Sequence, residues 1–279
     1  MKNTTLQTFG LIALSVLLAA FTLAPLVWLV IMSVSSASEL TAKPLIWWPN
    51  EIDLSRYGDL LNIQSGSGER FLMALRNSLM TALTATLLAL IVAVPAAFAF
   101  SRRGASLLLL FGFLATIMMP PITYVLPLYD IFGSVGLLNS STALAIVYCA
   151  MLLPFATWLM KSNFDAIPAE LDQASMVEGA STFYTLRRVV LPLALPAIAA
   201  TFMLSFLAAW DEFFYALIFT SDLTAKTLPV AIADFTAGRV TDYGVIAAVG
   251  VLASLPPAIV AMCFQRFIVS GLAAGSVKG

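Results

Sequence analysis

Histidine is absent from the 279 residues, charged residues make up only 10% of them, and there are only two cysteines. Each shortage excludes something. Without histidine the chain lacks the usual general base near neutral pH and the commonest metal ligand. Cys149 and Cys263 both fall inside apolar runs, where they read as buried thiols rather than a disulfide, and two cysteines make no metal site. A formal net charge of −1 leaves no basic footprint for nucleic acid. No Gly-x-x-x-x-Gly-Lys-Ser/Thr loop occurs, so ATP is not expected on this chain by that route, and no other cofactor is expected either. What abounds is apolar. Hydrophobic residues make up 61%, against roughly 45–50% in a soluble domain. This is the composition of a polytopic membrane protein, here expected to be all-α.

Runs long enough to span a bilayer fall at about 9–34, 78–101, 105–129, 141–160, 191–220 and 243–264, within one membrane domain over 1–279. The first follows Lys2 without an obvious small-residue cleavage site and exceeds the apolar core of a cleaved signal, so it reads as an uncleaved span bent at Pro25. The longest polar segment, 35–76, holds Trp47-Trp48-Pro49, a SerGlySerGly stretch at 65–68 read as flexible, and five acids. The Trp pair suits an interfacial anchor. Met119-Pro120-Pro121 sits in the middle of the third run. Prolines there free backbone carbonyls, which fits either a kink or a broken helix lining a solute path. Six spans put both termini on one side. That side carries Lys2, Arg102, Arg103, Lys161, Arg187, Arg188, Arg266 and Lys278, and the other Lys43, Arg56, Arg70, Arg76, Lys226 and Arg239. Eight against six, with the long first loop discounted, places both termini and residues 161–190 in the cytoplasm.

The polar stretch 167–196 organises the rest. Pro168 suits a first helical position, and Glu170 and Asp172 suit the first turn of a helix dipole. Ile167, Leu171, Ala174 and Val177 form one apolar stripe. Gly179 can end that helix in the left-handed conformation and Ser181 can cap the next. Arg187 and Arg188 then precede Leu191-Pro192-Leu193. A short amphipathic helix on a tight turn fits docking into a partner's groove. It fits a helix lying on the membrane surface equally well.

This stretch resembles the EAA loop of inner-membrane permeases in binding-protein-dependent ABC importers. The family pattern is Glu-Ala-Ala, two residues, Asp-Gly-Ala, then about nine residues to Leu-Pro-Leu. Here it runs Gln173-Ala174-Ser175, Met176-Val177, Glu178-Gly179-Ala180, then Leu191-Pro192-Leu193. Gln173 stands where the family usually has Glu, and Glu178 where it usually has Asp. Members of that family often have Asn-Ser-Leu where Asn77-Ser78-Leu79 enters the second run, and Trp210-Asp211-Glu212-Phe213, Thr227-Leu228-Pro229-Val230 and Gln265-Arg266 with Gly271 through Gly279 resemble its carbohydrate-uptake branch of maltose type. Asp211 replaces that branch's usual Asn.

The resemblance implies the type I ABC importer permease fold, six transmembrane helices with a cytoplasmic coupling loop between spans four and five. It implies residence in a bacterial or archaeal inner membrane and a carbohydrate substrate. A second permease subunit, two ATPase subunits and an external solute-binding protein are the implied partners, with ATP and Mg on the ATPases and no catalysis by this chain. Coupling falls to Glu170, Gln173, Ala174, Glu178, Gly179 and Ala180. The tail, Ser276, Val277, Lys278 and Gly279, reaches the ATPases in maltose-type relatives; a disordered tail is the other reading. Arg187 and Arg188 fit interface anchors or ATPase contacts. For the solute path the candidates are Tyr124, Tyr129, Trp210, Asp211 and Glu212, since aromatic faces and hydrogen-bonding groups suit sugars. Asp211 lies about 30 Å along from Leu191, near the outer interface, where Trp and acids also occur simply as interfacial residues. Two other classes fit a polytopic chain. An ion-coupled carrier would need carboxylates near the midplane, which the spans scarcely hold. A membrane scaffold would have a dispensable EAA loop.

Overall fold

The computed structural model describes residues 5–236 and 242–276. Every regular element among them is helical. In chain order these are α1 (Thr5–Val34), α2 (Ala37–Leu40), α3 (Ser55–Leu61), α4 (Gly66–Arg102), α5 (Leu107–Ala115), α6 (Val125–Ser134), α7 (Ser141–Ala166), α8 (Glu170–Val177), α9 (Thr182–Thr185), α10 (Leu191–Trp210), α11 (Phe214–Phe219), α12 (Leu228–Thr236) and α13 (Tyr243–Ser276). Among the described residues, five helices are long and apolar enough to cross a membrane: α1, α4, α7, the run Thr182–Trp210, and α13.

Several expected boundaries shift. The helix of the second apolar run starts at Gly66 rather than near 78. Residues 65–68 are not a flexible linker. Ser65 Oγ accepts from Gly68 N at 2.9 Å and donates to Asn62 O, so it works as a cap on the helix start. A Cβ on Gly68 would overlap the carbonyl oxygens of Asn62 and Asp59; the glycine is there for close approach of backbone. The third run is no single bent helix. It breaks into α5, a 3-10 turn at Thr116–Met118, a second at Pro121–Thr123, and α6. Met119 is extended, as a residue preceding proline is driven to be. Pro256 and Pro257, by contrast, lie inside an uninterrupted α13. α7 runs past Lys161 to Ala166, helped by a Lys161–Asp165 ion pair one turn apart at 2.6 Å. The fifth run is helical from Thr182, passes through one wide π turn at Leu186–Val190, and stops at Trp210, with α11 a separate helix.

The chain folds as two compact units. The first takes the residues up to Leu72 and Ala231–Leu255. In it α1 presents its apolar residues outward; Phe21 is 81% exposed, as expected of a helix meant for lipid or another chain. Buried Arg56 donates to Ser35 O at 2.6 Å and pairs with Asp242 at 3.5 Å, while Asp242 also accepts from the N–H groups of Gly244 and Val245 at the start of α13. Glu39 accepts from Asn50 N and Nδ2 and from Ser36 N, closing the loop that carries exposed Trp47 and Trp48.

The second unit takes Met73–Val230 and the residues from Pro256 on. Here α10 packs along α7, with Thr201 Oγ1 3.4 Å from Met160 Sδ. A core of Ala97, Phe98, Met160, Phe164, Leu186, Val190 and Ala194 joins the end of α4, the end of α7 and the start of α10. Ala97 and Ala194 let the helices approach closely, the usual device where helices pack in lipid. At the other end Asn77 Nδ2 donates to Leu223 O and Lys226 O, each at 3.0 Å, and Ser78 Oγ accepts from Leu228 N at 2.7 Å. Asn139 donates to Phe219 O and accepts from Ser221 N.

Candidate functional site

Helix α8 and its flanks occupy 167–190 of the expected coupling loop 161–190, whose first six residues instead continue α7 to Ala166. The helix opens at Glu170, so Pro168 precedes it, and Pro168 O accepts from Leu171 N. It closes as the sequence pattern requires. Gly179 has φ +83, Ala180 N donates to Ser175 O at 3.0 Å, and Gly179 N donates to Met176 O at 2.9 Å. These two bonds with a left-handed residue form a Schellman turn, which satisfies the last carbonyls of the helix. Ser181 Oγ then accepts from Tyr184 N at the start of α9.

The apolar stripe is not buried in its own chain. Leu171 is 41% and Val177 90% exposed; Ala174 is exposed too, while half-buried Ile167 packs on the α4–α7–α10 core. Phe183 and Tyr184 of α9 are also exposed. Glu170, Gln173, Glu178 and Gly179 all face outward, with Ala180 half-buried. So five of the six expected coupling residues are exposed, and Ala180 is half-buried.

Two features were not legible in the sequence. Asp172, expected only as a first-turn acid, is the one buried residue of α8. Its Oδ2 lies 2.7 Å from Arg102 Nε. Arg102, expected only to close a span, also donates through Nη2 to Phe164 O and Ile167 O at the end of α7. Ser175, in the place of the second Ala of the family pattern, meets buried Thr185 with its Oγ 2.8 Å from Thr185 Oγ1. No spacing rule links positions so far apart.

Of the solute-path candidates, Tyr124 and Glu212 both meet Tyr215, and Tyr129 packs on Phe219 beside it. Tyr124 accepts from Tyr215 Oη at 2.7 Å. Both line an apolar cavity of about 630 Å³ beside the broken segment, with Phe113, Met119, Ile146 and Met151 on its walls. Tyr215 carried no signal in the sequence. Tyr129 lies edge-on to Phe219 at 6.1 Å. Trp210 is buried, stacked on Phe206 at 5.8 Å. Asp211 is exposed. The Glu212 carboxylate accepts from Tyr215 N and Ala216 N at 3.0 and 3.3 Å, capping α11. Of the tail, Ser276 ends α13; Val277, Lys278 and Gly279 lie outside the described residues.

The family model described as "Binding-protein-dependent transport system inner membrane component" matches residues 71–273. The sulfoquinovosyl glycerol transport system permease protein of Agrobacterium fabrum is 37% identical over 91% of this chain and 88% of its own length. The trehalose/maltose transport system permease protein of Thermococcus litoralis is 34% identical over the full length of both. The crystal structure of a bacterial ABC transporter that imports alginate contains a chain with the same fold, at TM-score 0.78 and 24% identity over 95% of this chain and 99% of that one. The exposed turn-closed helix, the apolar helices and these likenesses agree: the chain belongs to the inner-membrane components of binding-protein-dependent transport systems.

Proposed function

We propose that this chain is one transmembrane subunit of an ATP-driven carbohydrate importer, and that α8 is the helix by which ATPase subunits drive it. The observation that carries the reading is the outward-facing stripe of α8, with Leu171, Ala174 and Val177 exposed beside the Gly179 turn. A helix-in-groove contact needs such an apolar face on a rigidly closed helix. ATP and Mg bind on the ATPases, this chain has no catalytic role, and a second permease subunit completes the pathway. An external binding protein delivers the solute. The carbohydrate assignment rests on relatives named for trehalose/maltose and for sulfoquinovosyl glycerol.

In this reading the broken pieces α5 to α6 carry the third of six spans, beside the five long apolar helices. Both termini and α8 face the cytoplasm, in the inner membrane. The ion-coupled carrier and the scaffold give way to this assignment.

Closure of the ATPases on ATP moves α8, and the helices behind it rotate to expose the path to the other side. Purification in mild detergent, after crosslinking, should recover an ATPase and a second permease. Gly179→Asp places a side chain on a left-handed residue and a charge on the docking face, and should abolish ATP-dependent uptake with the protein still in the membrane. Normal uptake in that variant would sink the coupling role.

A further inference from the structure

Three segments meet on one guanidinium. Arg102 ends α4, a helix of 37 residues. Its Nη2 holds the last carbonyls of α7, Phe164 O and Ile167 O. Its Nε faces Asp172, the one buried residue of α8. The two side chains are 12% and 8% exposed, although the other residues of α8 except half-buried Ser175 are exposed. The Nε–H does not aim at the carboxylate, and among the described residues neither Asp172 oxygen has a hydrogen-bond donor. The attraction is therefore one of charge, acting where little water screens it. Of the other side-chain ties of α8, Ser175 to Thr185 leads into the helix that follows it in sequence, and the long, exposed contact of Arg103 Nη1 with Met176 Sδ at 3.9 Å reaches the residue just after α4.

From this we infer that Arg102 and Asp172 are positioning residues for transport: they pass displacement of α8 into α4 and the end of α7, in parallel with the covalent route into α10. The inference rests on the coupling role proposed for α8. An ion pair removed from water resists separation because breaking it strands a buried charge. It couples helix to helix more stiffly than the exposed apolar contacts around it. Without the pair, α8 follows the ATPases while α4 and α7 lag, so hydrolysis continues without matching movement of solute.

The test uses the complete transporter with its partner permease, ATPases and binding protein in vesicles, comparing solute taken up per ATP hydrolysed. Asp172→Asn leaves the Arg102 bonds to α7 intact. It should keep the ATPases bound and hydrolysing while uptake per ATP falls about tenfold, in the range of ordinary coupling energies. Asp172→Glu should recover most of it. A purely structural pair would lower uptake and hydrolysis together, leaving the ratio unchanged, and that result overturns the inference. Should Asp172→Asn fail to reach the membrane, Arg102→Cys with Asp172→Cys, in a chain with Cys149 and Cys263 changed to Ser, decides the matter. Bridging the pair with a bifunctional thiol reagent remakes the α8–α4 tie but not the bonds to Phe164 O and Ile167 O, so it should raise the ratio above that of the unbridged protein, and a ratio unmoved by bridging overturns the inference. Absence of ATP-dependent uptake in the unmodified transporter would instead refute the importer reading itself.

Discussion

Arg102 Nε lies 2.7 Å from Asp172 Oδ2, and this buried pair links the end of α4 to α8. Its stability consequence is separable from its role in transport. Arg102→Met strands the Asp172 carboxylate and removes the donor to Phe164 O and Ile167 O. Loss of one member of a buried pair costs about 3–5 kcal/mol. The double variant Arg102→Met with Asp172→Leu should regain part of that, since no lone charge remains. Denaturant unfolding in detergent checks the order: wild type most stable, double variant next, single variant least. A single variant as stable as the double would contradict it.

Asn77 and Ser78 clamp the segment 223–228 through three bonds. Ser78 is buried. Asn77→Ala leaves the carbonyls of Leu223 and Lys226 without this donor, and Ser78→Ala leaves Leu228 N without its acceptor. Each should cost about 1–3 kcal/mol. Asn77→Asp should be worse than Asn77→Ala, because a carboxylate would face two carbonyl oxygens. Limited proteolysis reads this directly: cleavage within 221–228 should quicken in all three, fastest in Asn77→Asp. Equal cleavage across the series would refute the clamp.

Glu39 gives the first polar loop a pH dependence. Backbone hydrogen bonds from Asn50 and Ser36, with the Asn50 side chain, lower its carboxyl from the ordinary 4.5 to about 2. A lowered folded value means the contribution is fully present above about 4.5 and is lost as pH falls through about 2. Trp47 sits in this loop against Trp28, ring centres 5.2 Å apart. Tryptophan fluorescence should therefore shift over that acid range, and Glu39→Gln should show at neutral pH part of the shift that wild type shows only in acid. Superimposable profiles for the two proteins would refute the assignment.

The interruption at Met119-Pro120-Pro121 and the continuous helix at Pro256-Pro257 show where local rules stop. Both pairs remove N–H donors and crowd the preceding turn. Whether a helix then breaks depends on what neighbouring helices offer the freed carbonyls. That is a matter of packing, and the dipeptide is the same in both places.

Chain order and local chemistry alone determined where the five long apolar helices fall, that a short helix follows Pro168, its closing glycine turn and the serine cap after it. These depend on hydrophobic length, backbone sterics and side chains within a few residues. The tertiary structure alone decided that the α8 stripe stays open, that Asp172 turns inward to Arg102, and that Tyr124 meets Tyr215 over a cavity. Each is a contact between segments distant in the chain, or the lack of one. Its energy comes from burial and from charge in low dielectric, and neither exists until the helices have packed.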